Sequence, residues 1–322
     1  MANFALTGLA GYIAPRHLQA IRDTGNRLVA AMDPHDAVGV VDSYFPDAAF
    51  FTEFERFDRH LEMLRRDSAE NRVQYVSVCS PNHLHDAHIR LALRIGADAI
   101  CEKPLVLNPW NLDALAGLER EYQRRVYTVL QLRVHPALTA LRERLQADPS
   151  RRHHVRLSYI TSRGKWYRYS WKGDVAKSGG VATNIGVHFF DLLLWLFGEV
   201  RRSEVHLSEP ARVGGSFELA NADVEWFLSI DRADLPESVR GAQPTYRSIT
   251  VDGEEIEFSG GFRDLHTRVY EETLAGRGFG IEHARRAIEL VYRIRTAKPV
   301  RPSLEMHPFI RGESPDLLIA NV

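Results

Sequence analysis

The sequence predicts an α/β protein: a doubly wound parallel sheet first, then an α+β domain with a largely antiparallel open sheet. Three observations predict this. Before about residue 130, short, almost wholly apolar runs alternate with amphipathic stretches, as parallel strands do when helices cover both faces. After about residue 150, several runs alternate apolar and polar residues, as in a sheet with one covered face. The length of 322 residues is about twice that of a typical domain. We therefore expect domains over residues 1–133 and 134–322.

The elements follow in order. Phe4–Thr7 reads as a strand, Pro15–Thr24 as a helix and Leu28–Met32 as a strand. Helical spacing marks Arg56–Asp67, then Tyr75–Cys79 is a strand and His83–Arg94 a helix. Ala99–Cys101, Trp110–Arg124 and Val126–Leu130 complete a strand, a helix and a strand. In the second half, Val155–Ile160, Glu204–Leu207, Val224–Ile230, Ser248–Val251 and Glu255–Phe258 are expected strands. Asp252-Gly253 marks a hairpin turn. Val187–Phe197 is a strongly apolar helix, Glu282–Arg295 an amphipathic one, and the proline-bearing tail after Pro299 an extended arm.

Composition excludes several classes of protein. Forty-one Lys and Arg against 42 Asp and Glu leave a net charge of −1, which removes the drive for nonspecific nucleic-acid binding. Small anions remain open as ligands, since a pocket needs only a few local cations. Cys79 and Cys101 are too few for a disulfide scaffold or a thiolate zinc cage, and we assign no metal site. Both lie in apolar runs, as buried thiols of a reducing cytoplasm would. The start MANFALTGLAG lacks a signal-peptide pattern, and the longest apolar stretch, Phe189–Phe197, contains Asp191. That stretch is far short of the ~20 residues a membrane span needs, so a soluble, cytoplasmic protein is expected.

Chemistry-bearing residues cluster in four places. Gly8-Leu9-Ala10-Gly11-Tyr12-Ile13-Ala14 follows the first strand directly. Small residues at 8, 10, 11 and 14 permit a sharp strand-to-helix turn and a close approach by a dinucleotide pyrophosphate. The motif departs from strict G-x-G-x-x-G, because Ala10 stands at one glycine position and Ala14 closes it. The second strand ends at Asp33, where a carboxylate can accept hydrogen bonds from an adenosine ribose diol, with Asp36 a further candidate. Asp33 would repel a 2′-phosphate, and no Arg or Lys follows between Pro34 and Tyr44, so NAD is expected over NADP.

Cys101-Glu102-Lys103-Pro104 comes just past a strand end, where open α/β sheets place their ligand crevice. A lysine there can polarise a hydroxyl or move a proton. On a helix starting near Thr183, Asn184, His188 and Asp191 stand at i, i+4 and i+7 and share one face. Finally, residues 151–173 hold seven Lys/Arg and no Asp/Glu, interleaved with Tyr159, Trp166, Tyr167, Tyr169 and Trp171. Cations interleaved with aromatic rings could be a nucleic-acid stripe, but the neutral net charge and the nucleotide motifs argue against that. Arg163, Lys165 and Tyr167 are the chosen candidates for a small anionic ligand, with Arg16 one turn past the phosphate loop.

These motifs together resemble the glucose-fructose oxidoreductase / inositol dehydrogenase family over nearly the whole chain. Glu102-Lys103-Pro104 paired with Gly186-x-His188-x-x-Asp191 is the specific part. The resemblance implies an N-terminal Rossmann domain, a C-terminal α/β domain whose open sheet often forms an oligomer interface, and a dimer or tetramer. It implies Lys103 and His188 as catalytic groups. Many members carry Asp where this chain has Asn184; asparagine cannot act as a base, so Asn184 becomes an orienting group.

The nucleotide-binding residues expected are Gly8, Ala10, Gly11, Tyr12, Ile13, Asp33, Asp36, Ser80, Asn82, His85, Glu102, Lys103 and Gln131. Those expected at the substrate are Arg16, Arg163, Lys165, Tyr167, Asn184 and His188. The stretches 10–17, 42–46, 80–85 and 162–167 further resemble bacterial dehydrogenases that oxidise UDP-N-acetylglucosaminuronic acid at C3 for lipopolysaccharide O-antigen sugars. That subgroup keeps NAD bound, and some members reoxidise NADH with 2-oxoglutarate. The alternatives are a dehydrogenase of another sugar or cyclitol that releases NADH each turnover, and a non-catalytic NAD-sensing regulator. A regulator would have no need to keep Lys103, Asn184 and His188 together.

Overall fold

In the computed structural model, which describes residues 1–258 and 264–312, the chain divides into two units. The first comprises Met1–His135 and Gly261–Ile288. Its strands are β1 (Asn3–Thr7), β2 (Arg27–Met32), β3 (Ala49–Phe51), β4 (Tyr75–Val78), β5 (Asp98–Cys101) and β6 (Val126–Thr128). They form one sheet in the order β3-β2-β1-β4-β5-β6, with every pairing parallel. Helices α1 (Ala14–Asp23), α2 (Phe54–Asp67), α3 (His85–Arg94) and α4 (Pro109–Tyr122) make the crossovers. All of β1 is buried, which explains why it reads as an apolar run rather than an alternation. The strand order reverses between β1 and β4, so the loops after these two strands open a crevice.

Residues Gly261–Ile288 return to this first unit, whereas the expected division at 133/134 left them in the second half. The reason is a core face. Helix α10 (Leu265–Leu274) buries Leu265, His266, Val269, Tyr270 and Thr273, and Tyr270 stacks on Phe4 of β1 at 5.8 Å.

The second unit comprises Pro136–Gly260 and Glu289–Val322. It contains α5 (Pro136–Gln146), β7 (His153–Thr161), the short helices α6 (Trp166–Tyr169), α7 (Val175–Ser178) and α8 (Gly180–Asn184), and α9 (Val187–Phe197). Strands β8 (Val200–Ser208), β9 (Arg212–Leu219), β10 (Ala222–Ser229), β11 (Thr245–Val251) and β12 (Glu254–Glu255) follow. The sheet order is β12-β11-β7-β10-β9-β8; only the β7–β10 pairing is parallel. Asp252 and Gly253 both take positive φ in the β11–β12 turn.

Side-chain alternation on β10 covers the sheet on both faces. Trp226 packs with Phe190 of α9 and with Phe217, and Phe227 packs with His307 and Phe309 of the tail. The apolar run 224–230 is therefore the core of this unit. The tail is not a free arm over its described part. Val300 donates to the Val205 carbonyl, Glu204 accepts from the Ser303 and Leu304 amides, and α12 (Pro308–Arg311) follows. Helix α11 (Ile281–Thr296) matches the expected amphipathic helix within a residue at either end.

No single helix among the described residues is long and apolar enough to cross a membrane. The bent pair Val175–Asn184 and Val187–Phe197 passes that test by length and composition, but its apolar members Phe189, Phe190, Leu192 and Leu193 are buried in the core.

Four buried imidazoles make stability depend on pH. Burial pushes His17, His85 and His307 below 6.5 and His88 down to about 4. An unfolded chain binds more protons there below pH 6.5, so the stability these groups contribute is complete above that pH and lost as the pH falls. We expect Tm, followed by circular dichroism, to drop progressively from pH 6.5 to 4. An unchanged Tm over that range would contradict this.

Candidate functional site

In the first unit, the residues expected to hold a nucleotide lie on the loops and turns that follow β1, β2, β4, β5 and β6. Gly8 has φ +86°, and a Cβ on it would stand 2.5 Å from the Cys79 carbonyl and 2.6 Å from the Ser80 nitrogen. The loop after β1 therefore passes against the loop after β4 with no room for a side chain. Gly11 donates to the Gly8 carbonyl at 3.0 Å, and α1 starts without a side-chain cap. Its first amides are taken up by the turn itself: Ala14 donates to the Gly11 carbonyl at 3.1 Å, Arg16 donates to the Ile13 carbonyl at 3.0 Å, and Pro15 has no N–H.

Tyr12 is 92% exposed beside them, and Ile13 is the residue preceding the helix. Asp33 is buried at the end of β2, with Oδ2 accepting from the Ala10 amide at 3.0 Å and Oδ1 from the His35 amide at 2.9 Å. The carboxylate and the glycine turn are thus joined in one structure. Asp36 is exposed on the turn that follows.

Gln131 lies in a short turn after β6, and its buried Oε1 has no hydrogen-bond partner among the described residues. It is an acceptor in want of a donor. With the closed glycine turn and Asp33, this acceptor fits a dinucleotide.

Two expected nucleotide contacts have other work. His85 is buried with Nδ1 2.7 Å from the Pro104 carbonyl and Nε2 2.8 Å from the Ser80 carbonyl, so it ties the loop after β4 to the loop after β5. The Ser80 hydroxyl is 2.8 Å from His88 Nδ1. Asn82 is buried at the head of the turn Asn82–Leu84.

Glu102 is likewise buried. Its Oε1 accepts from Nε2 of His17 and Nε2 of His266, each at 2.9 Å, and its Oε2 accepts from the Lys103 amide at 3.2 Å. Burial alone would raise this carboxyl's pKa; the two imidazole hydrogen bonds outweigh it and hold it well below the usual carboxylate range. Lys103 is half-buried and is followed by a cis peptide to Pro104. Arg16 is half-buried on α1.

In the second unit, the expected single polar face is broken. Asn184 is the last residue of α8, the chain bends at Ile185–Gly186, and His188 belongs to the next helix, α9. The i, i+4, i+7 spacing therefore does not run along one helix. Asn184 Nδ2 donates to the Tyr167 hydroxyl at 2.7 Å. Burial pushes the Tyr167 phenol up, so it stays protonated. His188 is half-buried, its ring edge-on to Phe189 at 5.8 Å. Arg163 and Lys165 are exposed on the segment before α6, and Tyr169 is 90% exposed. Lys172 lies 4.3 Å from the Trp171 ring and 5.7 Å from the Trp166 ring.

The roles of His17, His266 and Tyr270 escaped the sequence reading. A signal exists: His17 stands with Ala14, Leu18 and Ile21 on the buried face of α1, and His266 and Tyr270 stand at i and i+4 on that of α10.

Comparison with known proteins agrees with this geometry. Residues 2–130 match the model of the oxidoreductase family's NAD-binding Rossmann fold (GFO_IDH_MocA), and residues 152–225 match that family's C-terminal alpha/beta domain. The chain is 58% identical to the WlbA (WbpB) dehydrogenase of Thermus thermophilus solved with NAD and alpha-ketoglutarate. That match has a TM-score of 0.92 and covers 96% of this chain and 100% of the other. A structure of that enzyme with NAD and UDP-GlcNAcA gives 57% identity, a TM-score of 0.91 and the same coverage. An inositol 2-dehydrogenase of Rhizobium meliloti (strain 1021) is 26% identical over 200 residues, 61% of this chain and 55% of that protein. The chain spans 57% or less of the curated relatives it matches.

Proposed function

The chain belongs to the GFO_IDH_MocA oxidoreductase family, and from that premise we propose that it is an NAD-dependent dehydrogenase. Its reaction is the oxidation of the C3 hydroxyl of UDP-N-acetylglucosaminuronic acid to the 3-keto sugar. The observation that carries this is the 57% identity, over the whole of the other chain, to a dehydrogenase solved with NAD and UDP-GlcNAcA. The first unit agrees with it: the Gly8 turn, Asp33 and Gln131 would hold NAD. When bound, NAD supplies hydride acceptance from C3 and hydride return to the keto carbon of a second substrate.

The chain's own residues handle the proton and the oxygen. His188 takes the C3 hydroxyl proton as the hydride leaves carbon. Lys103 holds the oxygen and offsets negative charge as it develops. Asn184, anchored on the Tyr167 hydroxyl, orients the sugar. Arg163, Lys165 and Arg16 supply charge for the diphosphate and the carboxylate.

In the second half of the cycle 2-oxoglutarate enters the same cationic site. His188 returns the proton to its keto oxygen, so that 2-hydroxyglutarate leaves and the enzyme is restored. The likeness to a structure containing alpha-ketoglutarate supports this step. A cytoplasmic homo-oligomer, dimer or tetramer, belongs to the same reading.

The test is to supply the purified protein with UDP-N-acetylglucosaminuronic acid and 2-oxoglutarate. We expect 2-hydroxyglutarate by mass spectrometry in step with keto sugar, and no build-up of free NADH absorbance. NADH accumulating without 2-hydroxyglutarate would replace recycling by release of the cofactor each turnover. No keto sugar at all would refute the substrate.

A further inference from the structure

The first unit contains a buried polar chain that the reaction above does not use. The Ser77 hydroxyl lies 2.6 Å from the Tyr270 hydroxyl, and the Tyr270 hydroxyl lies 2.7 Å from His17 Nδ1. Nε2 of His17 and Nε2 of His266 both donate to Glu102 Oε1, and Glu102 Oε2 receives the Lys103 amide. Ser77, His17 and Tyr270 are fully buried, and His266 and Glu102 nearly so. The contributors come from β4, α1, α10 and the loop after β5, four elements far apart in sequence.

The protons are fixed by this arrangement. His17 donates from Nε2 to the carboxylate, so in the neutral ring Nδ1 is an acceptor. Tyr270 must then donate to Nδ1 and accept from Ser77. The hydrogen bonds run in one direction and end on the carboxylate. Burying a carboxylate is costly unless it is well bonded. This one is held by three donors, two on one oxygen and one on the other.

We propose that Glu102, held by His17 and His266 with Tyr270 closing the chain, is a positioning residue for Lys103. This rests on the reading of Lys103 as a working group of the dehydrogenase. The carboxylate is the fixed negative charge nearest in sequence to the lysine, and it fixes the backbone amide from which the lysine side chain springs. On this proposal its anion favours the ammonium form of the lysine. Burial pushes the His17 imidazole down, so His17 donates without cancelling that charge. The other titratable groups in its field are His85 and the thiols of Cys79 and Cys101. Burial raises both thiols, which therefore stay protonated.

Two imidazoles and a carboxylate are also a set that can ligate a metal ion. The hydrogen bonds already satisfy both carboxylate oxygens and three of the four ring nitrogens, so we favour the hydrogen-bonded chain, and the experiment decides between the two. Lys103 is labelled with trace acetic anhydride as a function of pH in the purified holoprotein. Mass spectrometry of the Lys103 peptide then reads its titration midpoint without any turnover.

In Glu102→Gln the midpoint should fall by about one pH unit. In Tyr270→Phe, which removes one hydroxyl, it should fall in the same direction by less. In both variants kcat should fall about ten-fold with little change in KM for the sugar. A Glu102→Gln midpoint equal to that of the wild-type protein would overturn the proposal, and so would one stoichiometric divalent ion per chain by elemental analysis. Should Glu102→Gln fail to fold, an unchanged midpoint in Tyr270→Phe overturns it instead. Failure of the sugar to react would refute the substrate while leaving the labelling result intact.

Discussion

Replacing Lys103 by alanine is expected to lower turnover by about 10³-fold or more while NAD remains bound. The residue sits just past the carboxyl end of β5, where parallel α/β sheets hold their chemistry. Its backbone is fixed on both sides, by the Glu102 carboxylate on its amide and by Pro104 after it. The substitution removes the ammonium and leaves untouched the β1–α1 turn, Asp33 and Gln131. Nucleotide content of the purified variant should therefore match that of the wild-type protein, while formation of keto sugar disappears. Rates close to wild type would remove Lys103 from the reaction. Loss of NAD along with activity would instead make it chiefly a cofactor contact.

Gly8→Ala should have the largest effect on the first unit. The backbone there has φ +86°, a region costly for a residue with a Cβ. The new atom would also meet main-chain atoms of Cys79 and Ser80 at 2.5–2.6 Å, and backbone cannot swing aside as a flexible side chain can. Together these effects are expected to cost about 3 kcal/mol or more. That corresponds to a fall in Tm of roughly 6–12 °C for a unit of this size. NAD should be lost from the purified protein, because the turn must open where the pyrophosphate would lie. Gly25→Ala is the control. Its φ is +72°, but nothing lies within 4 Å of the new Cβ, so only the backbone cost of about 1 kcal/mol applies. Equal Tm values for the two variants would show that the close approach of the β1 and β4 loops is unimportant.

Much of the first sheet was readable because its signals are local. Each strand is an apolar run of a few residues, each helix has its own amphipathic period, and the glycine turn and Asp33 mark the ends of β1 and β2. Strand β3 escaped notice because three residues carry no period. Strand β9 escaped because Gly214 and Gly215 carry no side chains to continue a strand pattern. A Cβ at 215 would stand 2.0 Å from the Glu204 carbonyl on β8, so the strand needs a residue that propensity disfavours. The stretch from Thr183 was read as one helix because its polar spacing is regular, yet the chain bends by 44° between the segment ending at Asn184 and α9.

By itself, the sequence determined the fold class and named, as candidates, the nucleotide-binding residues and Lys103, Asn184 and His188. These rest on short motifs and on periodicities of a few residues, which bring neighbours along the chain into fixed relation. Only the tertiary structure decided the role of Glu102. Its two imidazole partners stand 85 and 164 residues away, and nothing local marks them as partners. The physical reason is the cost of burying charge. A carboxylate inside a core must find donors, and the fold supplies them by returning α10 to the first sheet, beside α1 and the loop that carries Lys103.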